Sequence, residues 1–153
     1  MVSPSTTISP TPPMPNSQRT ILVTGASRGI GAEVAVRLAG ADRHVVVNYR
    51  DKARRADEIV ERIRDAGGTA VSVRADLCDE SAVTAMLSTI GRLDVLVLNA
   101  SGGMERGADP GYAMRINRDA QAALARRALE ALSLIHISEP TRLIIRSRMP
   151  SSA

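Results

Sequence analysis

Short apolar runs alternate with segments of helical periodicity between residues 19 and 131. Four runs of mostly apolar residues predict buried strands, at residues 20–23, 44–49, 69–74 and 93–98. Between them, apolar side chains recur at the spacing of a helix that is buried on one face. These are Ile30, Val34 and Leu38, then Ala56, Ile59, Val60 and Ile63, then Val83, Met86, Leu87 and Ile90. A polar, glycine-rich loop at residues 99–111 precedes a long helix predicted at residues 112–132.

Glycine and aspartate residues mark the ends of these predicted elements. Gly40 is expected to end the first helix, Gly67 and Gly68 the second, and Asp79 to cap the start of the third. Strands that alternate with helices form a parallel sheet covered on both faces, and right-handed crossovers restrict its topology. The sequence therefore predicts an α/β, Rossmann-like, doubly wound fold that is truncated after about four strands.

Composition and charge narrow the class of protein. The chain has 153 residues and two tyrosines as its only aromatic residues, so its core must be aliphatic. No apolar run approaches the length that spans a membrane. The net charge of +4 comes from scattered arginines with no aromatic residues among them, which argues against a nucleic-acid partner. Cys78, the only cysteine, excludes an internal disulfide, fits a cytoplasmic setting, and is expected to be a small buried residue.

The strongest chemical signal is TGASRGIG, at residues 24–31. It follows the first predicted strand and opens the first predicted helix. Glycines in such a turn let the backbone approach a pyrophosphate closely, and the helix N-terminus offers free N–H groups and the positive end of its dipole. The glycines fall as G-x-x-x-G-x-G rather than G-x-G-x-x-G. At this place in the chain they predict a dinucleotide site rather than an ordinary tight turn.

With this turn the sequence resembles the short-chain dehydrogenase/reductase family, whose fingerprint is TGxxxGxG, over residues 19–131. Asp76 in ADL matches the family's adenine-contacting Asp. Residues 98–102, LNASG, stand where the family has NNAG, with Asn99 and Ala100 kept. Asn117 in MRINRD matches the helix Asn of the family's Asn-Ser-Tyr-Lys catalytic group. Without the resemblance, Asp76 would be interpreted as the start of a turn and Asn117 as an ordinary surface amide.

The resemblance implies a set of site residues and partners. One catalytic residue is retained, Asn117, and no metal site is assigned. It also implies a small carbonyl or alcohol substrate and a homo-oligomeric intact parent. The implied cofactor-binding residues are Gly25, Ser27, Arg28, Gly29, Ile30, Gly31, Tyr49, Arg50, Asp76, Leu77, Asn99, Ala100 and Ser101.

Charge at the end of the second strand predicts the cofactor. NAD-preferring folds place an acid there to hold the ribose hydroxyls, whereas NADP-preferring folds offer Arg to the 2′-phosphate. Here the strand ends in Asn48, Tyr49 and Arg50, and a second arginine, Arg28, lies in the glycine turn. We therefore expect NADP as the cofactor, while the neighbouring Asp51 leaves use of NAD open.

The catalytic half of the family pattern is missing from this sequence. The family protonates its substrate with a Tyr whose pKa is lowered by a Lys four residues later, and a Ser positions the substrate. The chain has one lysine, Lys52, and neither Tyr49 nor Tyr112 is followed by Lys at that spacing. His136 and Ser138 are not expected to replace this group, because no orienting acid stands beside them.

Three functions are compatible with these motifs. The first is an NADP(H)-dependent oxidoreductase of the short-chain family, present as a fragment that is inactive as it stands. The second is a half-domain that binds a dinucleotide without catalysis. The third is another Rossmann-like enzyme, such as a relative of the nucleotide-sugar epimerases, and the glycine spacing argues against it.

Both ends of the chain differ in character from the predicted domain at residues 19–131. Residues 1–18 are rich in Pro, Ser and Thr and lack the features of a signal peptide, so we expect a disordered leader or a wrongly assigned start codon. Back-translation from Leu132 onward gives codons that resemble the transposase-end adapter of sequencing libraries, and the resemblance resumes at Ser147 after a variable index. We therefore expect residues 132–153 to be translated adapter.

Overall fold

The computed structural model describes residues 18–102, 107 and 109–135. Strands and helices alternate along the chain, as the apolar pattern predicts. In order they are β1 (Arg19–Val23), α1 (Gly29–Leu38), β2 (Arg43–Tyr49), α2 (Ala53–Asp65), β3 (Thr69–Arg74), α3 (Glu80–Ile90), β4 (Val95–Val97), α4 (Pro110–Met114), a π-helical turn (Arg115–Asp119) and α5 (Ala120–Ile135). The predicted leader, apart from Gln18, and the segment 136–153 with His136 and Ser138 lie outside the described residues.

The four strands form one parallel sheet in the order β3-β2-β1-β4. β1 lies between β2 and β4, with Ile21 opposite both Val45 and Val95. The chain therefore adds β2 and β3 on one side of β1 and then returns to place β4 on the other. That reversal confirms the predicted Rossmann-like fold, and it creates a crevice at the carboxyl ends of β1 and β4.

Alternate side chains of the strands separate two aliphatic cores. Ile21 and Val23 face α1 and α2, where they pack with Ala35 and Ile63. Leu22, between them in sequence, faces the opposite side of the sheet. There the core includes residues of α3, the π-helical turn and α5, namely Val83, Met86, Ile116, Ala120, Leu124 and Ala128. Helices thus cover both faces of the sheet. Because all four strands are parallel, the loops that follow them lie at the same edge, the carboxyl edge.

Several predicted boundaries need correction. The fourth strand spans Val95–Val97 rather than residues 93–98, because Asp94 turns its carboxylate to accept a hydrogen bond from Thr20 N at 2.9 Å. The first helix ends at Leu38, with Ala39 rather than Gly40 as its C-cap. The last helical segment begins at Pro110, includes a π-helical turn and extends to Ile135. Pro110 at the first helical position, after the capping Asp109, explains the earlier start.

Cys78 is exposed, so the prediction of a buried cysteine is wrong. The preceding residue, Leu77, takes the inward position and is 6% exposed. The pKa of the Cys78 thiol is raised, chiefly by partial desolvation and then by the carboxylate of Asp76. The thiol therefore stays protonated at neutral pH, which argues against a reactive nucleophile at this position.

Within the described part of the chain, no helix combines the length and the apolar character needed to cross a bilayer.

Candidate functional site

The loops that follow the four strands meet at the carboxyl edge of the sheet, and they carry almost all the predicted site residues. Residues 25–31 follow β1, Tyr49 and Arg50 end β2, and Asp76 and Leu77 follow β3. Asn99, Ala100 and Ser101 follow β4. Asn117 is on the π-helical turn and reaches back to the loop after β4. Parallel strands thus bring together residues that lie up to 92 positions apart in the sequence, from Gly25 to Asn117.

The three glycines of the turn have different physical roles. Gly25 has a φ of +62°, and a Cβ at this position would lie 2.8 Å from the Cα of Ala100. A Cβ at Gly31 would lie 2.3 Å from the Nδ2 of Asn99 and 2.9 Å from the carbonyl oxygen of Gly25. These two glycines allow the turn to pack against the loop after β4.

Gly29 is different, because its missing side chain faces open space. Its φ is +59°, a conformation that favours glycine, yet a Cβ would meet no heavy atom within 4 Å. Gly29 is the first residue of α1. Among the described residues no side chain caps the N-terminus of α1 or of α2, whereas Asp79 and Asp109 cap α3 and α4. The backbone at Gly29 is therefore open to a ligand at the positive end of the helix dipole.

The other predicted site residues of the turn lie around this open helix N-terminus. Arg28 is the exposed N-cap residue of α1, in extended backbone conformation with φ −161° and ψ 167°. Ser27 is half-buried. Ile30 is 59% exposed, so its predicted place on the buried face of the first helix is wrong. The residues that α1 buries are Gly31, Ala32 and Ala35. An apolar side chain at the rim of an open helix N-terminus is available to contact the apolar part of a ligand.

A buried threonine joins the turn to the loop after β4. Thr24 is fully buried, and its hydroxyl donates to the carbonyl of Val97 at 3.2 Å. The same oxygen accepts hydrogen bonds from the backbone N–H groups of Asn99 at 2.9 Å and Ala100 at 3.1 Å. The amide Nδ2 of Asn99 in turn donates to the carbonyl of Thr24 at 3.1 Å. The two loops on either side of the crevice are therefore held in one arrangement.

Asn48 plays the corresponding part on the other side of β1. It is 2% exposed, and its Oδ1 accepts the N–H of Gly25 at 3.2 Å. Its Nδ2 donates to the carbonyl of Ala75 at 3.2 Å. The side chain thus connects the turn after β1 with the loop after β3. Neither Thr24 nor Asn48 is among the predicted site residues, although a polar residue within an apolar strand is a signal that could have identified them.

Arg50 is exposed at the end of β2, and its guanidinium contacts Asp51 and Tyr112. Its Nε donates to the carboxylate of Asp51 at 2.6 Å. Its Nη1 donates to the hydroxyl of Tyr112, and the guanidinium carbon lies 5.3 Å from the centre of that ring. Tyr49, the residue before it, is half-buried against the core on the α1 and α2 side. Arg50 and Arg28 lie on loops after neighbouring strands, as the prediction of two convergent cations requires.

A cavity of about 520 Å³ opens beside Arg50 at the carboxyl ends of β2 and β3. Asp76 lines it, and its Oδ1 accepts the N–H of Cys78 at 2.9 Å, which shapes the turn after β3. The full lining is Arg50, Asp51, Arg74, Ala75, Asp76, Asp79 and Ala82. Asp76 therefore starts a turn, as the plain interpretation predicts, and it also borders this cavity. The contact with adenine that the family resemblance implies stays a prediction.

The side chain of Asn117 forms hydrogen bonds to the backbone of the loop after β4. Its Nδ2 donates to the carbonyl of Gly102 at 2.9 Å, and its Oδ1 accepts the N–H of Gly102 at 3.3 Å. Ser101, the preceding residue, is exposed, and the carbonyl of Ala100 accepts a hydrogen bond from Gln121 Nε2 at 2.6 Å. Asn117 lies on the π-helical turn, a local widening of the helix that is common at functional sites.

No group of three His, Cys, Asp or Glu side chains is placed to hold a metal ion in residues 18–102, 107 and 109–135. The groups that the described loops present at this edge include backbone N–H groups, arginines, amides and the uncapped N-terminus of α1. That combination is suited to binding an anionic dinucleotide.

Among known proteins, the chain is similar to several reductases. A versicolorin reductase of Emericella nidulans is 36% identical over 141 residues, which cover 86% of this chain and 52% of that protein. A crystal structure of a 3-oxoacyl (acyl-carrier-protein) reductase from Agrobacterium tumefaciens C58 with NADP bound has a TM-score of 0.70 at 30% identity, over 83% of this chain and 51% of that one. A crystal structure of an angucycline C-6 ketoreductase with bound NADP has a TM-score of 0.65 at 34% identity, over 76% and 52%.

The chain spans about half the length, or less, of the curated relatives that it matches. Within the chain, the match to the family described as short chain dehydrogenase covers residues 19–129, which include the four strands of the described sheet and every predicted site residue. The fold, the glycine turn and this match agree, and the chain belongs to the short-chain dehydrogenase family.

Proposed function

We propose that this chain binds NADP(H) across the carboxyl edge of its sheet, as the cofactor-binding part of an oxidoreductase. The observation that carries the proposal is the open backbone at Gly29, which has a positive φ and free space in front of it at the uncapped N-terminus of α1. A pyrophosphate placed there would accept hydrogen bonds from backbone N–H groups that have no side-chain cap among the described residues.

The described residues fit the rest of a dinucleotide. The adenosine half is assigned to the cavity beside Arg50 and Asp76, on the side of β2 and β3. The nicotinamide half is assigned to Asn99 and the loop after β4, on the other side of β1. Thr24 and Asn48 support this arrangement from below, because they hold the three loops in place before any ligand binds.

NADP is the proposed cofactor, in preference to NAD. Arg28 and Arg50 are exposed cations on adjacent loops, and no acidic residue stands at the end of β2 before Asp51. An arginine can bind a phosphate through two parallel hydrogen bonds. The NADP bound in the related ketoreductase and 3-oxoacyl reductase structures supports the same choice.

Bound NADP(H) supplies the hydride for reduction of a carbonyl or accepts one from an alcohol. In the proposed reaction, this chain's own residues bind and orient the cofactor, and Asn117 fixes the loop that borders the nicotinamide side. The Tyr and Lys that would move the proton are not present at the required spacing, since Lys52 is the only lysine. We therefore propose that the 153-residue chain binds cofactor but does not turn over substrate.

Titration calorimetry of the purified chain with NADPH and with NADH tests this proposal. We expect saturable binding of NADPH, weaker binding of NADH, and no oxidation of NADPH in the presence of carbonyl compounds. Failure to bind either cofactor would contradict the proposed site, and sustained NADPH oxidation would contradict the proposed lack of turnover.

A non-catalytic half-domain that binds a dinucleotide is the second candidate. The observation that favours it is the lack of a Tyr-x-x-x-Lys sequence in the chain. It makes the same prediction for binding, and it differs in expecting no catalytic segment to be encoded after codon 131.

A further inference from the structure

Tyr112 is one of only two aromatic residues in the chain, and its surroundings hold it in a defined position. Its backbone N–H donates to the Oδ2 of Asp109 at 3.1 Å, which fixes the first turn of α4. Its ring packs over Gly102, where a Cβ would lie 3.0 Å from the ring carbon Cε1. The ring is partly buried against the core beneath α3 and α5. Tyr112 is thus an anchored ring at the edge of the site rather than a freely rotating surface residue.

The exposed side of this ring contacts Arg50. The Nη1 of Arg50 donates to the Tyr112 hydroxyl, and the guanidinium carbon lies 5.3 Å from the ring centre, within the range of a cation–π interaction. The two residues are 62 positions apart in sequence, so the contact connects the end of β2 with the helix after β4. It therefore crosses the carboxyl edge beside the cavity that Arg50, Asp51 and Asp76 line.

Asp51 acts on the same guanidinium from another direction. Its carboxylate lies 2.6 Å from the Nε of Arg50. A phosphate would have to compete with this ion pair for the guanidinium. Tyr112 engages Nη1, so Asp51 and Tyr112 hold Arg50 through different nitrogens. An arginine held in this way loses less side-chain entropy when it binds an anion.

We propose that Tyr112 is a positioning residue that orients Arg50 toward the 2′-phosphate of NADP and so contributes to cofactor discrimination. The inference rests on the proposed function, because it takes NADP(H) as the ligand of this edge. NADH has no 2′-phosphate, so orientation of Arg50 affects NADPH binding alone. Tyr112 would thus contribute to specificity without being one of the groups that contact the reacting atoms.

The test is a double-mutant cycle in the full 153-residue chain, with dissociation constants measured for NADPH and NADH. Tyr112→Phe keeps the ring and its packing and removes the hydroxyl. We expect it to weaken NADPH binding by about three- to tenfold, the usual range for one hydrogen bond, and to leave NADH binding unchanged. Tyr112→Leu removes the ring face as well and should weaken NADPH binding by about a further threefold. In an Arg50→Gln background, Tyr112→Phe should have no further effect on the ratio of the two constants.

Arg118→Gln is the matched control, because it removes a positive charge from the same helical segment and Arg118 pairs with Asp119 rather than with Tyr112. Arg118→Gln should leave the ratio of the NADPH and NADH dissociation constants unchanged. A variant that only lowers the thermal midpoint should also leave this ratio unchanged. The inference is overturned if Tyr112→Phe weakens both cofactors by the same factor, or if its effect on the ratio persists without Arg50. It is also overturned, together with the proposed function, if the unchanged chain binds no NADPH. If the unchanged chain binds NADPH but Tyr112→Phe does not change the ratio of the two dissociation constants, only the role of Tyr112 is overturned.

Discussion

Arg50 is the residue whose charge bears most on the choice of cofactor. It borders the cavity at the ends of β2 and β3 and is exposed there, with Asp51 and Tyr112 among its contacts. Replacing Arg50 with Asp would remove a phosphate ligand and place a carboxylate where NAD-preferring folds hold the ribose hydroxyls. We expect Arg50→Asp to weaken NADPH binding on the order of tenfold or more, and to shift the preference toward NADH.

Arg37→Asp is the control for this change, because it reverses a charge at the far end of α1, where Arg37 pairs with Glu33. Equal effects of the two variants on NADPH binding would indicate a general electrostatic attraction rather than a phosphate contact at Arg50. An unchanged ratio of NADPH to NADH affinity in Arg50→Asp would remove Arg50 from the proposed site.

The sequence singles out the glycines, Asp76, Asn99 and Asn117 from their place in the motifs, and the structure brings them to one edge of the sheet. Their roles toward a cofactor or substrate stay predictions. Thr24 and Asn48 were missed, because their importance depends on carbonyl and N–H groups that other loops bring to them. The contact of Tyr112 with Arg50 was also missed. No local pattern predicts a contact between two side chains 62 residues apart.

Among the elements, α3 offers a clear test of a predicted cap. The carboxylate of Asp79 accepts hydrogen bonds from the N–H of Ser81 at 2.9 Å and of Ala82 at 3.2 Å. The pKa of Asp79 is lowered, first by its side-chain hydrogen bond with Ser81 and then by these backbone groups. Because this pKa is lowered in the folded state, the charged cap stabilises the fold at pH values above the ordinary pKa range of aspartate. That stabilisation is lost as the pH falls through and below this range.

Two substitutions separate the cap from its charge. Asp79→Asn keeps a side chain that can cap a helix and does not titrate, so we expect it to reduce the loss of thermal stability in acid while changing the midpoint little at neutral pH. Asp79→Ala removes the cap and should lower the midpoint at neutral pH as well. Thermal unfolding followed by circular dichroism at several pH values measures both effects. An acid profile of Asp79→Asn identical to that of the unchanged chain would show that Asp79 does not contribute to it.

The order of the elements was predictable because each has a strong local signal. Continuous apolar runs predicted all four strands, and a 3.6-residue spacing predicted the helices that bury Ile63 and Met86. Boundaries were less predictable, since they depend on tertiary contacts. β4 is short because Asp94 bonds to Thr20 across the sheet, and the last helix starts early because Asp109 caps it. The π-helical turn has no sequence signal that we could use.

For the whole molecule, the interpretation of residues 132–153 as translated adapter stays a prediction, and residues 136–153 lie outside the described residues. We expect the genomic sequence beyond codon 131 to continue into a fifth strand ending in Ser and then into a helix with Tyr-x-x-x-Lys. Amplifying the locus from source DNA and reading across codon 131 tests this. Genomic codons for LSLIHISEPTR, followed by a stop after Ala153, would contradict it and favour the non-catalytic half-domain.

Cofactor binding by the whole molecule depends on the turn after β1, which we propose binds the pyrophosphate of NADP(H). Gly29 and Gly67 form a matched pair for testing it. Both have positive φ, +59° and +82°, and a Cβ at either position meets no heavy atom within 4 Å. Gly67 follows α2 at the opposite edge of the sheet. Valine at either position therefore carries a backbone cost of about 1–2 kcal/mol or more, and its Cβ meets no heavy atom within 4 Å.

The decisive measurement is calorimetric titration of NADPH into the unchanged chain, Gly29→Val and Gly67→Val, with thermal midpoints recorded for all three. We expect the two variants to be destabilised to a similar extent, Gly67→Val to bind NADPH as the unchanged chain does, and Gly29→Val to show no measurable binding. Normal NADPH binding by Gly29→Val would contradict the assignment of the pyrophosphate to this turn.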